Sequence, residues 1–329
     1  MTQLRERYNA SSEGIFMEFY TWQNYRCAFE KVPAQSRAQS RAQTEAETEQ
    51  ALPALLLIHP IGVGLSKQFW RPFIERWEAS TASSRLYNLD LLGCGESDMP
   101  SRAYRPEDWA KQLAYFIEQV AQEPVILVVQ GALLPVAVRL MALPAAKKVR
   151  GLVLSGPPAW RLMTTPSAGW KQKIGWGLLS SPLGNLFYRY ARRQKFLRSF
   201  SERQLFDRAE DVTDGWLKML DEGAADMASR YAVFSFLAGF WRQDYAGAIA
   251  RIQQPVLVVM GEDASSIDRQ TAKETEKAEA HPGQKRLQDY IDHFPRAEGV
   301  MIKGRNVLPY ESAAEFVTAI TPFVSGLST

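Results

Sequence analysis

Residues able to do chemistry are sparse in this 329-residue chain, which holds three histidines (His59, His281, His293) and two cysteines (Cys27, Cys94). Nucleophilic hydrolysis needs a serine or cysteine, a base to take its proton and an acid to orient that base. Cys94 lies in Gly93-Cys94-Gly95 with no histidine or cation adjacent, so its thiol reads as an inert turn residue. Neither cysteine has a CxxC partner, which argues against a disulfide framework and a structural zinc site. Metal catalysis needs clustered His, Cys, Asp or Glu, and that spacing does not occur. Gly62-Val63-Gly64 and Gly93-Cys94-Gly95 extend to neither GxGxxG nor GxxxxGK[ST], so no phosphate-binding loop is read. No metal and no cofactor is therefore expected. Ser66, Asp263 and His293 remain as parts from which a relocated site could be assembled.

Positioning any of these groups needs a scaffold. A net charge of +3 is too small to make nucleic acid the expected partner. The first thirteen residues are polar with no apolar core, and no apolar run reaches bilayer-spanning length, so a cytoplasmic location is expected. Phe16 to Trp22 and Tyr25 to Val32, split by Gln23-Asn24, predict an edge hairpin. Residues 35–52 open with QSRAQSRAQTEAETEQ, which cannot bury a face and predicts a mobile insertion loop.

Short apolar runs follow, each ending in a turn: Ala54 to Ile58, Leu86 to Asp90, Val125 to Val129, Leu152 to Leu154, Val256 to Met260 and Val300 to Ile302. Unbroken apolar runs suit strands buried on both faces of a parallel sheet. Helical patterns at Gln68 to Trp77, Pro106 to Gln122 and Ala132 to Met141 supply right-handed crossovers. The fold class is α/β, a mostly parallel doubly wound sheet. Residues 159–248 are aromatic-rich and helical, predicting a cap inserted into a core of 1–158 and 249–329.

In this order the turns resemble those of the α/β-hydrolase superfamily, in particular its capped members. His59-Pro60-Ile61-Gly62-Val63-Gly64 is similar to the family's oxyanion loop, and Asp90 to Asp98 (DLLGCGESD) to its DxxGxGxSD turn. Pro255 to Asp263 is similar to the strand delivering the acid, and Gly304 to Phe316 to the segment delivering the histidine. The resemblance implies a GxSxG nucleophile elbow at Val129-Gln130-Gly131-Ala132-Leu133, which puts Gly131 at the serine position. It likewise puts Ala264 at the acid position and Val307 at the histidine position. Three positions holding Gly, Ala and Val imply that hydrolytic chemistry is gone. The backbone N–H groups of Ile61 and Ala132, next to His59, would mark a vestigial oxyanion hole.

The implied role is binding, of a protein partner or an apolar small molecule; a hydrolase or lyase with a relocated site is the alternative. Phe187 to Arg203 carries Arg189, Arg192, Arg193, Lys195 and Arg198 against one acid, with Leu186, Tyr190, Leu197 and Phe200 at helical spacing. This basic surface suits an anionic membrane, a peripheral attachment, or an acidic protein partner, if it is not merely a solvated helix face.

Overall fold

The computed structural model describes residues 8–9, 16–34, 52–80, 84–266 and 281–327. Apart from Leu52, the expected insertion loop at 35–52 lies outside them. Among the described residues nine strands form one sheet: β1 (Tyr8–Asn9), β2 (Phe16–Trp22), β3 (Tyr25–Val32), β4 (Ala54–Ile58), β5 (Leu86–Leu89), β6 (Val125–Gln130), β7 (Val149–Ser155), β8 (Val256–Gly261) and β9 (Ala297–Ile302). Their order is β1-β2-β3-β5-β4-β6-β7-β8-β9. Pairing is antiparallel up to β3–β5 and parallel from β5–β4 to β9.

The apolar runs explain this sheet. Every residue of β4, β6 and β8 is buried, as helices on both faces require. Alternation then divides the core: Leu56, Ile58, Leu127 and Val129 enter one apolar layer, and Leu55, Leu57, Ile126 and Val128 the other. The β2–β3 hairpin turns on Gln23 and Asn24, both at positive φ (51° and 65°), which a primed two-residue turn demands.

Crossovers are made by α1 (Arg71–Glu78), α2 (Pro106–Tyr115) and α3 (Leu134–Leu140). Each is shorter than its apolar pattern suggests. The first is preceded by a 3-10 turn at Lys67–Trp70, and the third by one at Gly131–Leu133, with Pro135 in its first turn. The second gives way at Phe116–Ala121 to a π-helical turn that ends on Gln122 at φ 57°.

Between β7 and β8 all elements are helical: α4 (Trp160–Thr164), α5 (Gly169–Leu179), α6 (Pro182–Ala191), α7 (Gln194–Phe200), α8 (Asp214–Gly223), α9 (Arg230–Leu237) and α10 (Ala246–Ile249), with short 3-10 and π turns. The chain closes with α11 (Pro282–His293), α12 (Leu308–Glu311) and α13 (Ala313–Gly326). Phe73 of α1 meets Phe316 of α13 edge to face, fastening the last helix over the sheet.

The basic segment departs from expectation. The chain breaks at Arg192–Arg193, so α6 and α7 bury faces of different phase. Gly184, Tyr188 and Ala191 are the buried residues of α6, while Leu186 and Tyr190 are exposed; only Leu197 of the expected set is fully buried.

Candidate functional site

At the carboxyl end of β6 the chain turns through Gly131 at φ 56° and enters the helix that leads into α3. Glycine suits this backbone because it carries no Cβ penalty there. A Cβ on Gly131 would meet only the Gly156 carbonyl oxygen at 3.9 Å, so the apex has room for a side chain and holds none. Val129 and Leu133, on either side, are buried in one apolar layer. Gln130 is also buried, and its Nε2 donates to the Asn306 carbonyl at 2.7 Å, tying the turn to the loop after β9. That loop is held in turn by Asn306, which donates from its backbone to Leu205 and from Nδ2 to the Gln204 carbonyl.

Val307 is 3% exposed and belongs to the same apolar layer as Phe69, Trp216 and Leu308; Ala264 is 2% exposed and belongs to the other layer, with Met260 and Tyr290. These two positions lie in different apolar layers and bring no polar group toward Gly131. An apolar cavity of about 10 Å³ adjoins the elbow, lined by Tyr104, Trp109, Ala132, Val136, Phe236 and Trp241 among others. That is room for about one water molecule.

The other two turns are polar and closely bonded. His59 is fully buried; its Nδ1 hydrogen-bonds the Pro60 carbonyl at 2.8 Å and its Nε2 accepts from Leu91 N–H at 3.1 Å. This pairing requires the neutral ring protonated at Nδ1. Burial lowers its pKa despite the nearby Asp90 charge. Asp90 accepts from the Lys67 backbone N–H (2.8 Å), Lys67 Nζ (2.8 Å) and Glu96 N–H (2.9 Å). Both side chains of this ion pair are essentially inaccessible. Burial opposes the Lys67 charge, but Asp90 and Glu30 outweigh it and hold the ammonium above its ordinary pKa. Glu30 is anchored by Asn88 Nδ2 at 3.0 Å and by Arg71. Gly95 admits the carboxylate, since a Cβ there would lie 2.2 Å from Asp90. Ser97 Oγ donates to the Asp90 carbonyl and accepts from Ala28 N–H, joining the turn to β3. The turn is marked by its local motif, whereas Lys67 carries no local signal of its buried role.

The residues considered for a relocated site have separate surroundings. Ser66 caps the Lys67–Trp70 turn, its Oγ accepting from Gln68 N–H at 3.3 Å. His293 is exposed, stacks on Trp160 at 4.0 Å between ring centroids and hydrogen-bonds the Asp289 carbonyl. Asp263 lines an open polar cleft of about 350 Å³ with Asp207, Asp211, Glu262, Lys303 and Glu311. Among the described residues no His, Cys, Asp and Glu group is arranged to hold a metal. Cys94 is buried, and burial lifts its thiol pKa far above the usual range, which removes the reactive thiolate.

In the basic segment, Arg198 pairs with Asp214 at 2.8 Å and Arg192 donates to the Ala225 carbonyl. Arg189, Arg193 and Lys195 are exposed, with Arg193 over the Tyr190 ring.

A mostly parallel sheet, a strand-to-helix turn whose apex has positive φ, and helices inserted between β7 and β8 define an α/β-hydrolase fold. The chain belongs to the alpha/beta hydrolase family, whose model matches residues 55–319. Similar solved structures include a thermophilic esterase from Thermogutta terrifontis, 16% identical over 99% of this chain and 100% of that one, with a TM-score of 0.64. Cfl2 from Burkholderia cenocepacia is 16% identical over 98% and 100%, with a TM-score of 0.68. The enol-lactonase from Burkholderia xenovorans LB400 is 13% identical over 93% and 99%, with a TM-score of 0.65. At these identities the likeness carries the fold alone. A search of curated protein sequences found no significant match.

Proposed function

We propose that this chain is a catalytically degenerate α/β-hydrolase that acts by binding a protein partner. The observation that carries this reading is the elbow: its apex is Gly131, which has no side chain to attack a carbonyl. Ala264 and Val307, at the acid and base positions the family resemblance implies, are apolar and buried in separate layers. On this reading the N–H groups of Ile61 and Ala132 are the remnant of an oxyanion hole; the neighbouring His59 has both ring nitrogens engaged elsewhere.

A protein partner is favoured over an apolar small molecule because the cavity at the elbow is about 10 Å³, against roughly 300–1,000 Å³ for ordinary ligand pockets. The esterase and lactonase names of two structural neighbours support the alternative, a hydrolase or lyase with a relocated site. The separate engagements of Ser66 and His293 weigh against it.

The test is turnover of a panel of p-nitrophenyl esters from acetyl to long acyl chains. The expected rate equals that of the Gly131→Ala variant and of buffer. Turnover abolished by replacing one serine would overturn the reading.

A further inference from the structure

Helices α5 and α6 form a hairpin with one side on the molecule and the other bare. Gly184 seats α6 on the end of α5: a Cβ there would lie 1.6 Å from the Leu179 carbonyl oxygen. On its inner side α5 reaches α9 and the turn beyond it, with Gln172 Nε2 donating to the Gly239 carbonyl at 3.0 Å and Trp176 packing on Tyr231 and Phe240. Trp170, Ile174 and Leu178 recur every four residues and point away from that contact, at 63%, 64% and 56% exposure. Leu183, Leu186 and Tyr190 continue the bare row along α6, opposite its buried Gly184, Tyr188 and Ala191. No residue of α5 is fully buried.

The charge around this row has one sign. From Gly169 to Lys195 the chain carries Lys171, Lys173, Arg189, Arg192, Arg193 and Lys195 and no acid, although the whole molecule holds 39 cations and 36 acids. At 100° per residue, Lys171 and Lys173 flank the Trp170–Ile174–Leu178 row on either side. An apolar row edged by cations is the composition of a helix lying in a membrane interface, its apolar face among acyl chains and its cations at anionic headgroups. A second copy of this chain fits worse, because a two-fold contact would set the same cations against one another.

We propose that the α5–α6 hairpin docks this protein onto an anionic bilayer surface, Trp170, Ile174, Leu178, Leu183 and Leu186 entering the interface and Lys171, Lys173, Arg189 and Arg193 holding the headgroups. The inference does not depend on what the elbow does. It moves the contact from the 187–203 segment toward α5, since Leu197 is buried and Arg198 is paired with Asp214.

The test is cosedimentation of the full chain with vesicles of phosphatidylcholine and phosphatidylglycerol (7:3) and of phosphatidylcholine alone. Binding is expected on the anionic vesicles, weakened by 0.5 M salt. Ile174→Glu with Leu186→Glu should lower affinity by about tenfold or more with an unchanged melting temperature, because both side chains are exposed in the native fold. Arg189→Gln with Arg193→Gln should lower it about thirtyfold, the worth of two interfacial cations. Failure of the wild-type chain to bind anionic vesicles would overturn the proposal, as would binding unchanged in both double variants. A wild-type dimer that ignores vesicles and becomes monomeric in the Glu variant would overturn it in favour of a protein interface.

Discussion

Two sets of turns at one end of the same sheet are built in opposite ways. After β4 and β5 they are polar and closely bonded, with His59, Lys67, Asp90, Ser97 and Glu30 buried in specific hydrogen bonds or ion pairs. After β6, β8 and β9 the elbow flanks and the implied acid and base positions are apolar, Val129, Leu133, Ala264 and Val307 being buried among other hydrocarbon side chains, while Gln130 bonds the elbow to the Asn306 loop. The contrast separates two jobs that one fold usually combines. The first set fastens the loops to the sheet, and its chemistry is consumed in doing so. In the second set the three positions Gly131, Ala264 and Val307 carry no side chain that can react. Family resemblance in the first set reports the fold.

The comparison can be broken most forcefully at Lys67. Lys67→Met leaves the Asp90 carboxylate buried without its cation, so a loss of about 3–5 kcal/mol is expected in urea unfolding. A loss below about 1 kcal/mol would mean that the pair does not hold these loops. Gly95→Ala and Gly131→Ala sharpen the point, because both glycines have φ of 56° and an alanine at either would meet a similar left-handed penalty. At Gly131 the new methyl meets open space, so about 1–2 kcal/mol is expected from the left-handed backbone alone. At Gly95 it strikes the Asp90 carboxylate, and the expected loss rises to about 3 kcal/mol or more. Equal losses at the two sites would contradict the distinction between a filled turn and an open apex.

The smallest effect is a pH dependence. Burial lowers the pKa of His59 in the folded state below its unfolded value of about 6.5. Between the two values the unfolded chain binds the extra proton, so this stabilisation is complete above about pH 6.5 and is lost as pH falls. One group contributes a slope of at most about 1.4 kcal/mol per pH unit. Subtracting the pH profile of His59→Asn from that of the wild type should isolate it; a difference rising toward acid would show that the ring is charged in the folded state.

The sheet was legible because its strands are short apolar runs ended by turns, and the hairpin because Gln23-Asn24 separates two aromatic, β-branched segments. The resemblance located the elbow because the motif is local in sequence. Lys67 was not legible, since a lysine after a glycine-rich loop looks like any solvated residue until Asp90, 23 positions on, is folded against it. The face of α6 was misjudged for a physical reason. A periodic pattern read from Leu186 to Phe200 assumes one continuous helix, and the break at Arg192–Arg193 resets the phase.

The central claim is that the elbow end of the sheet has no nucleophile with a base beside it. It is tested most directly by incubating the native protein with a fluorophosphonate and weighing the intact chain by mass spectrometry. The account predicts an unmodified mass, both for the wild type and for Gly131→Ser, whose new hydroxyl would find valine rather than a base at position 307. A stoichiometric adduct on one serine of the wild type would contradict it.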